Sequence, residues 1–282
     1  MFERILVPVD VGPPGAAFQV AEALAGRVGG RVVAVVVERP GAADGRREAD
    51  AAASAAAAGC QVDDVEVRPA RDVASGILAA SATPGSLLCL TTYAGGAEGA
   101  QVVHAVSDQV LRRTTRPVLA VGPRVVTDPR PTFSEVVACV DDLVLARHVA
   151  PSLATWATGL GAEPRLVQVV DPTAELGESP GSGGAAGVSG SGESAEAAAA
   201  RRLADELHAR GIGATLHLVR DRDPADAILR FAEPLRGPVV VIASHSRSRL
   251  RRAALGTVAR RVTGRSSHPV LVVPTGPFLG IE

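Results

Sequence analysis

The sequence predicts an α/β protein: two doubly wound, five-stranded parallel-sheet domains in tandem, related by a pseudo-twofold. Three observations predict it. The chain repeats itself: Ile5-Leu6-Val7-Pro8-Val9-Asp10 returns as Val136-Val137-Ala138-Cys139-Val140-Asp141, and Arg116-Pro117-Val118-Leu119-Ala120-Val121 returns as His268-Pro269-Val270-Leu271-Val272-Val273. Continuous Val/Ile/Leu runs alternate with helical stretches, the pattern of parallel strands covered on both faces. Right-handed crossovers between such strands wind the sheet both ways. The repeat places one domain at residues 1–124 and the other at 133–282, joined by the Pro-containing linker Val125 to Thr132.

In copy one, the strand Arg4 to Val9 leads into a helix from about Pro13 to Val28, with Pro tolerated in its first turn. Val-rich Arg31 to Val37 is the second strand, and Ala-rich Arg46 to Ala58 the second helix, closed by Gly59. Strand Val62 to Val67 follows. Asp72 caps a helix to about Ala80, because Asp accepts from orphan N–H groups at helix starts. Strand Ser86 to Leu90, a Gly-rich loop over Ala94 to Gly99 and a helix from about Gln101 to Arg113 lead to a strand from Pro117 to Val121. Pro at a strand's first residue does least harm to the ladder.

Copy two repeats the order. Its strands are Glu135 to Val140, Arg165 to Val170, Ala214 to Val219, Val239 to Ala243 and Val270 to Val273. Its helices run from about Leu143 to Gly159, Ser194 to Arg210, Pro224 to Pro234 and Arg252 to Gly264. Thr173 to Gly192 breaks the symmetry with a Gly/Ser-rich run. Such composition makes a flexible loop, and its exit from the end of the second strand also suits a lid.

Composition excludes several functions. The net charge of -1 gives no field for nucleic acid or anionic lipid. No apolar run reaches the roughly 20 residues of a membrane helix, and Met1-Phe2-Glu3-Arg4 shows no signal-peptide pattern. Cys60, Cys89 and Cys139 are scattered, as small buried hydrophobes of a reducing cytoplasm are. A cytoplasmic location is therefore expected. Every basic residue other than His is Arg. Without Lys there is no Walker P-loop, no Schiff base and no kinase-type phosphate lysine.

Doubly wound sheets bind ligands outside the carboxyl ends of the strands, where the winding reverses. In copy two Asp141 ends the first strand, Ala243-Ser244-His245-Ser246-Arg247 leaves the fourth, and Gly256-Thr257 lies near the start of the last helix. A helix N-terminus offers free N–H groups to an anion. At these residues the chain resembles the universal stress protein family in tandem form, over nearly its whole length. The resemblance implies a Rossmann-like fold in both copies, joined through their last strands, so that Val118 to Val121 should lie beside Val270 to Val273.

Nucleotide-binding members of that family carry Gly-x2-Gly-x9-Gly-Ser/Thr after the fourth strand. The matching residues are Ala243, Ser246, Gly256 and Thr257 in copy two, and Thr91, Ala94, His104 and Ala105 in copy one. Copy two keeps the spacing, the last Gly and the hydroxyl. Copy one keeps none of the glycines and loses the hydroxyl. The resemblance assigns adenine contacts to Asp141 (Asp10 in copy one) and to backbone near Val170 (Val37 in copy one). Ser244 and Ser246 would then serve ribose and phosphates, and Gly256 and Thr257 the phosphates.

The resemblance implies a stress-response regulatory protein with ATP or another adenine nucleotide, such as AMP, as ligand of copy two alone. The rival reading is an interaction scaffold with both pockets degenerate. An enzyme is the weakest reading. No Gly-x-Ser-x-Gly elbow supports the Ser244–His245 neighbours, and any ATP hydrolysis would be slow. Asp10 and Asp141 could equally cap the next helix, and the arginines from Arg247 to Arg252 could be a solvated face. No metal-ligand spacing occurs. The expected partners are unidentified proteins, with an intrachain pseudo-dimer and a homodimer as assemblies.

Overall fold

The computed structural model describes residues 1–9, 14–38, 46–92, 100–140, 143–172, 195–244 and 255–275. Asp10, Asp141, Ser246, His245 and the run Thr173 to Gly192 lie outside the described residues.

The N-terminal half contains β1 (Arg4–Pro8), α1 (Gly15–Val28), β2 (Arg31–Glu38), α2 (Arg46–Ala57), β3 (Asp64–Pro69), α3 (Val73–Ser81), β4 (Ser86–Thr91), α4 (Ala100–Arg113) and β5 (Val118–Val121). Residues 122–134, without helix or strand, connect it to the C-terminal half. There follow β6 (Glu135–Cys139), α5 (Leu143–Leu160), β7 (Glu163–Val170), α6 (Ala195–Ala209), β8 (Thr215–Arg220), α7 (Pro224–Ala232), β9 (Pro238–Ala243), α8 (Thr257–Arg265) and β10 (Val270–Val273).

All ten strands form one sheet in the order β3-β2-β1-β4-β5-β10-β9-β6-β7-β8. Within each half the pairs are parallel; among the described residues only β5 and β10 run antiparallel. Their register places Leu119 opposite Leu271, Ala120 opposite Val270 and Val118 opposite Val272. Leu119 and Leu271 are the same position in the two copies. A residue lying opposite its own repeat equivalent marks a local twofold axis through that pair.

The strands need cover on both faces, because they are apolar at nearly every position. Ile5 and Val7 face one core, shared by α1, α2, α5 and α6. Leu6, between them, faces the other, shared by α3, α4, α7 and α8. Each core crosses from one half to the other. On the first face Trp156 of α5 sits between Phe2 and Phe133, with ring centroids 5.8 and 6.5 Å away. Arg27 of α1 donates to the Leu160 carbonyl of α5 at 2.5 Å.

The repeat extends to hydrogen bonds. Asp72 caps α3 by accepting from the Ser75 N–H at 2.8 Å, and Asp223 caps α7 by accepting from the Asp226 N–H at 3.1 Å. Before the last strand of each half, a hydroxyl bridges the same turn. Thr114 donates to the Arg116 carbonyl and accepts from its N–H; Ser266 does the same with His268, at the same 2.8 and 3.1 Å.

One expected element starts elsewhere. The sequence predicts the last helix of copy two from about Arg252, which lies outside the described residues; Leu255 and Gly256 are not helical, and α8 begins at Thr257. The Gly256 N–H, instead of pairing within a helix, donates to the Ser244 carbonyl at 2.7 Å. The strands of copies one and two otherwise fall within two residues of their expected bounds.

Because the sheet and both cores span the two halves, the chain should unfold as one unit. Leu119→Ala, made in the N-terminal half, should lower the unfolding free energy by about 2–5 kcal/mol. It should also shift the transition reported by Trp156 of the C-terminal half. Urea melts followed by fluorescence and by circular dichroism check this; an unmoved Trp156 transition would contradict it.

Candidate functional site

The winding reverses between β6 and β9 in the C-terminal half and between β1 and β4 in the N-terminal half. The carboxyl ends of these strands, one set per half, are where a sheet of this kind takes a ligand.

In the C-terminal half, Ala243 is the last residue of β9 and is buried, and Ser244 follows at 1% exposure. Ser244 is a junction. Its N–H donates to the Val273 carbonyl of β10 at 2.8 Å, its carbonyl accepts from Gly256, and its hydroxyl accepts from the Thr275 N–H at 3.2 Å. It thus ties the end of β9 to the end of β10 and to the start of α8. Gly256 is the N-cap of α8, with φ −57° and ψ 151° and no side-chain cap. Any L-residue can adopt that conformation, so the value of glycine here lies in close approach rather than in backbone freedom. Thr257, the first helical residue, is exposed. Val170 ends β7, half-buried, and its carbonyl accepts from the Asp221 N–H at 3.1 Å. The structure therefore brings Ala243, Ser244, Gly256 and Thr257 together. Val170 lies at the same sheet end, two strands from β9.

The N-terminal half departs from this at two points. By the strand register Thr92 matches Ser244: its N–H donates to the Val121 carbonyl at 2.8 Å. His104 and Ala105 then match Gly256 and Thr257. Yet α4 begins at Ala100, so both fall inside the helix. The helix start that copy two presents at Thr257 is displaced upstream in copy one. The second departure is at Pro123, which matches Thr275 and has no N–H to give. The Thr92 hydroxyl, at 6% exposure, is left without a partner among the described residues, as is that of Thr91. One expected equivalence also shifts. The Val9 N–H pairs with the Val35 carbonyl as Val140 pairs with Val167, so Val170 matches Glu38, one residue beyond Val37.

The posture of α8 is fixed from its flank. Arg261 donates to Asp223 at 2.6 Å and to Asp226 at 3.2 Å, and Arg265 donates to Asp226 at 2.6 Å. These bonds join α8 to the first turn of α7. Sequence reasoning missed them. The signal was the spacing of Arg261 and Arg265 on one helix, with Asp223 and Asp226 on the other. The Arg261 hydrogen bond, followed by the Asp226 N–H, holds the Asp223 carboxyl below its ordinary value, and Asp223 in turn raises the Arg261 guanidinium.

Nucleophilic chemistry finds little support. The Ser244 hydroxyl is buried and engaged by Thr275. Burial raises the thiols of Cys60 to about 11 and Cys139 to about 12, and pushes Cys89 up further. These thiols are protonated near neutrality and are poor nucleophiles. Burial, then Arg165, depresses His217, and burial depresses His268. Among the described residues no group of three His, Cys, Asp or Glu is placed to hold a metal, and no helix is long and apolar enough to cross a membrane.

The sequence model of the Universal stress protein family matches residues 132–274, just over half of the chain. That span includes β6 to β10 and the Ser244–Gly256 junction. No curated protein matches. Among solved structures, a universal stress protein from Archaeoglobus fulgidus DSM 4304 is 18% identical with a TM-score of 0.64, over 97% of this chain and 99% of that one. A functionally unknown protein from Pseudomonas aeruginosa PAO1 is 19% identical with a TM-score of 0.56, over 97% and 92%. At these identities the likeness establishes the fold, in both halves. The universal stress protein of Archaeoglobus fulgidus in complex with dAMP, 22% identical, matches 50% of this chain and 98% of its own, at a TM-score of 0.34.

The α7–α8 clamp has a pH signature. A carboxyl depressed by folding contributes stability that is present above its ordinary value and is lost as pH falls through the folded one. Asp223→Asn, which can still cap α7, should lower the melting temperature near pH 7. It should also flatten the loss of stability below about pH 4. Thermal melts across pH 2 to 7 check this, and an unchanged acid slope would contradict it.

Proposed function

Since the chain belongs to the universal stress protein family, we propose that it is a stress-response regulatory protein that binds an adenine nucleotide, ATP or AMP, in its C-terminal half alone. One observation carries the restriction to that half. There, α8 begins at Gly256–Thr257 against the end of β9; in the N-terminal half the matching residues are inside α4. A helix start whose N-cap is glycine presents N–H groups and the positive end of the helix dipole to a phosphate.

In this reading Gly256 lets a phosphate approach the backbone, and the exposed Thr257 hydroxyl adds a donor. Ser246 contacts ribose or phosphate, Asp141 holds the adenine, and the backbone at Val170 borders it. Ala243 lines the crevice. Ser244 supports the ligand through backbone placement, since its hydroxyl and carbonyl serve Thr275 and Gly256. The reading assigns no general base, so nucleotide acts as a ligand with at most slow hydrolysis. The domain limits at residues 124 and 133 fit it, since each half then carries its own crevice.

The second reading, an interaction scaffold without nucleotide, is favoured by the two replaced glycines. Ala243 and Ser246 put a Cβ where the family brings backbone against ligand.

Calorimetric titration with ATP decides between them. The first reading expects one nucleotide per chain and a loss of at least about tenfold in affinity, roughly 1.4 kcal/mol, in Gly256→Asp with Thr257→Ala. His104→Ala, the matching change in copy one, should leave affinity and stoichiometry unaltered. No heat of binding at millimolar ATP would reject the first reading for the second.

A further inference from the structure

Resting on that reading, we infer that Gly122, at the end of β5 in the N-terminal half, is a positioning residue for the nucleotide site of the C-terminal half. A Cβ built on Gly122 would fall well inside 3.0 Å of the Thr263 carbonyl oxygen and 3.5 Å from its carbon. Gly122 is not among the positive-φ residues, so its backbone conformation is open to any side chain. Only the close approach of α8 demands glycine there.

Thr263 cannot yield alone. It is in the last turn of α8 at 4% exposure, and its hydroxyl bonds back to the carbonyls of Ala259 at 2.9 Å and Arg260 at 3.1 Å. Around it, the Ser266 N–H at the helix end donates to the Val262 carbonyl at 2.9 Å. Carbon–oxygen contacts settle at 3.3–3.6 Å, so any side chain at position 122 must displace α8 by roughly 1 Å. At 1.5 Å per residue Thr257 lies only about 9 Å along the same helix. Displacing this short, hydrogen-bonded rod by its last turn moves its first turn, where Gly256 holds the 2.7 Å bond to Ser244. A shift of that size at a positioned ligand group is costly.

The seat is one-sided. Across the pseudo-twofold the residue matching Gly122 is Pro274, and the residue matching Thr263 is Leu111. The N-terminal half, which lacks a helix start at its own crevice, thereby acts as the bed on which the α8 of the other half rests.

The test compares Gly122→Ala with Gly26→Ala in the full chain, since a Cβ at Gly26 in α1 meets nothing within 4 Å. Without nucleotide, hydrogen exchange over the first turn of α8 should quicken in Gly122→Ala and not in Gly26→Ala. ATP affinity should fall at least about tenfold in Gly122→Ala only. Unchanged α8 exchange, or unchanged ATP affinity, in a folded Gly122→Ala protein overturns the inference. A wild-type chain that binds no ATP overturns the nucleotide reading instead, and exchange alone then decides whether Gly122 seats α8. If Gly122→Ala does not fold, the wild-type chain still answers. Saturating ATP should slow exchange of the Val125 amide, which donates to the Gly122 carbonyl at 3.2 Å, and no change there despite bound ATP overturns the inference.

Discussion

The antiparallel pairing of β5 with β10 is the constraint on which the rest of the molecule depends. A five-stranded parallel sheet ending on an apolar strand such as Val118–Val121 leaves a row of unpaired backbone groups, a template for association. The same chain supplies the cover. Leu119 opposite Leu271 closes both edges at once and fixes the twofold. The two cores then run across the seam, and Trp156 can pack between Phe2 and Phe133. The outer edges that remain are β3 and β8. The N-terminal edge β3 carries Glu66 between Arg4 and Arg68, charges of the kind that discourage further pairing.

Tandem fusion frees the two halves to differ. In a dimer of identical subunits each crevice must keep its chemistry, because one sequence builds both. Here three departures accumulate on one side. Helix α4 starts upstream of His104, Pro123 removes the donor that would meet the Thr92 hydroxyl, and Gly122 gives up its side chain to admit α8. The first two set the end of the N-terminal sheet apart from its C-terminal counterpart. The last serves the other half. The division of labour is physical: one half presents a helix start, and the other holds that helix in place.

Most of the fold was legible in the sequence because it rests on periodicities that act locally. Val-rich runs such as Arg31–Glu38 bury both faces, Asp72 stops the chain at a helix start, and the family resemblance placed the seam on the last strands. The site was half legible. Gly256 and Thr257 were singled out through the family's motif, and the Gly256 N–H does reach the Ser244 carbonyl. What sequence could not give were contacts set by tertiary geometry. The Arg261–Asp223 clamp needs the relative pose of α7 and α8, the α8 start at Thr257 is decided by the pull of the Ser244 carbonyl, and the Gly122–Thr263 approach crosses the seam between halves.

The measurement that bears most directly on the asymmetry is a diffraction structure from crystals grown with ATP. The account predicts nucleotide density with its phosphates against Gly256 and Thr257, and none beside Thr91 and Thr92. Density in both crevices, or against α4 alone, would contradict it.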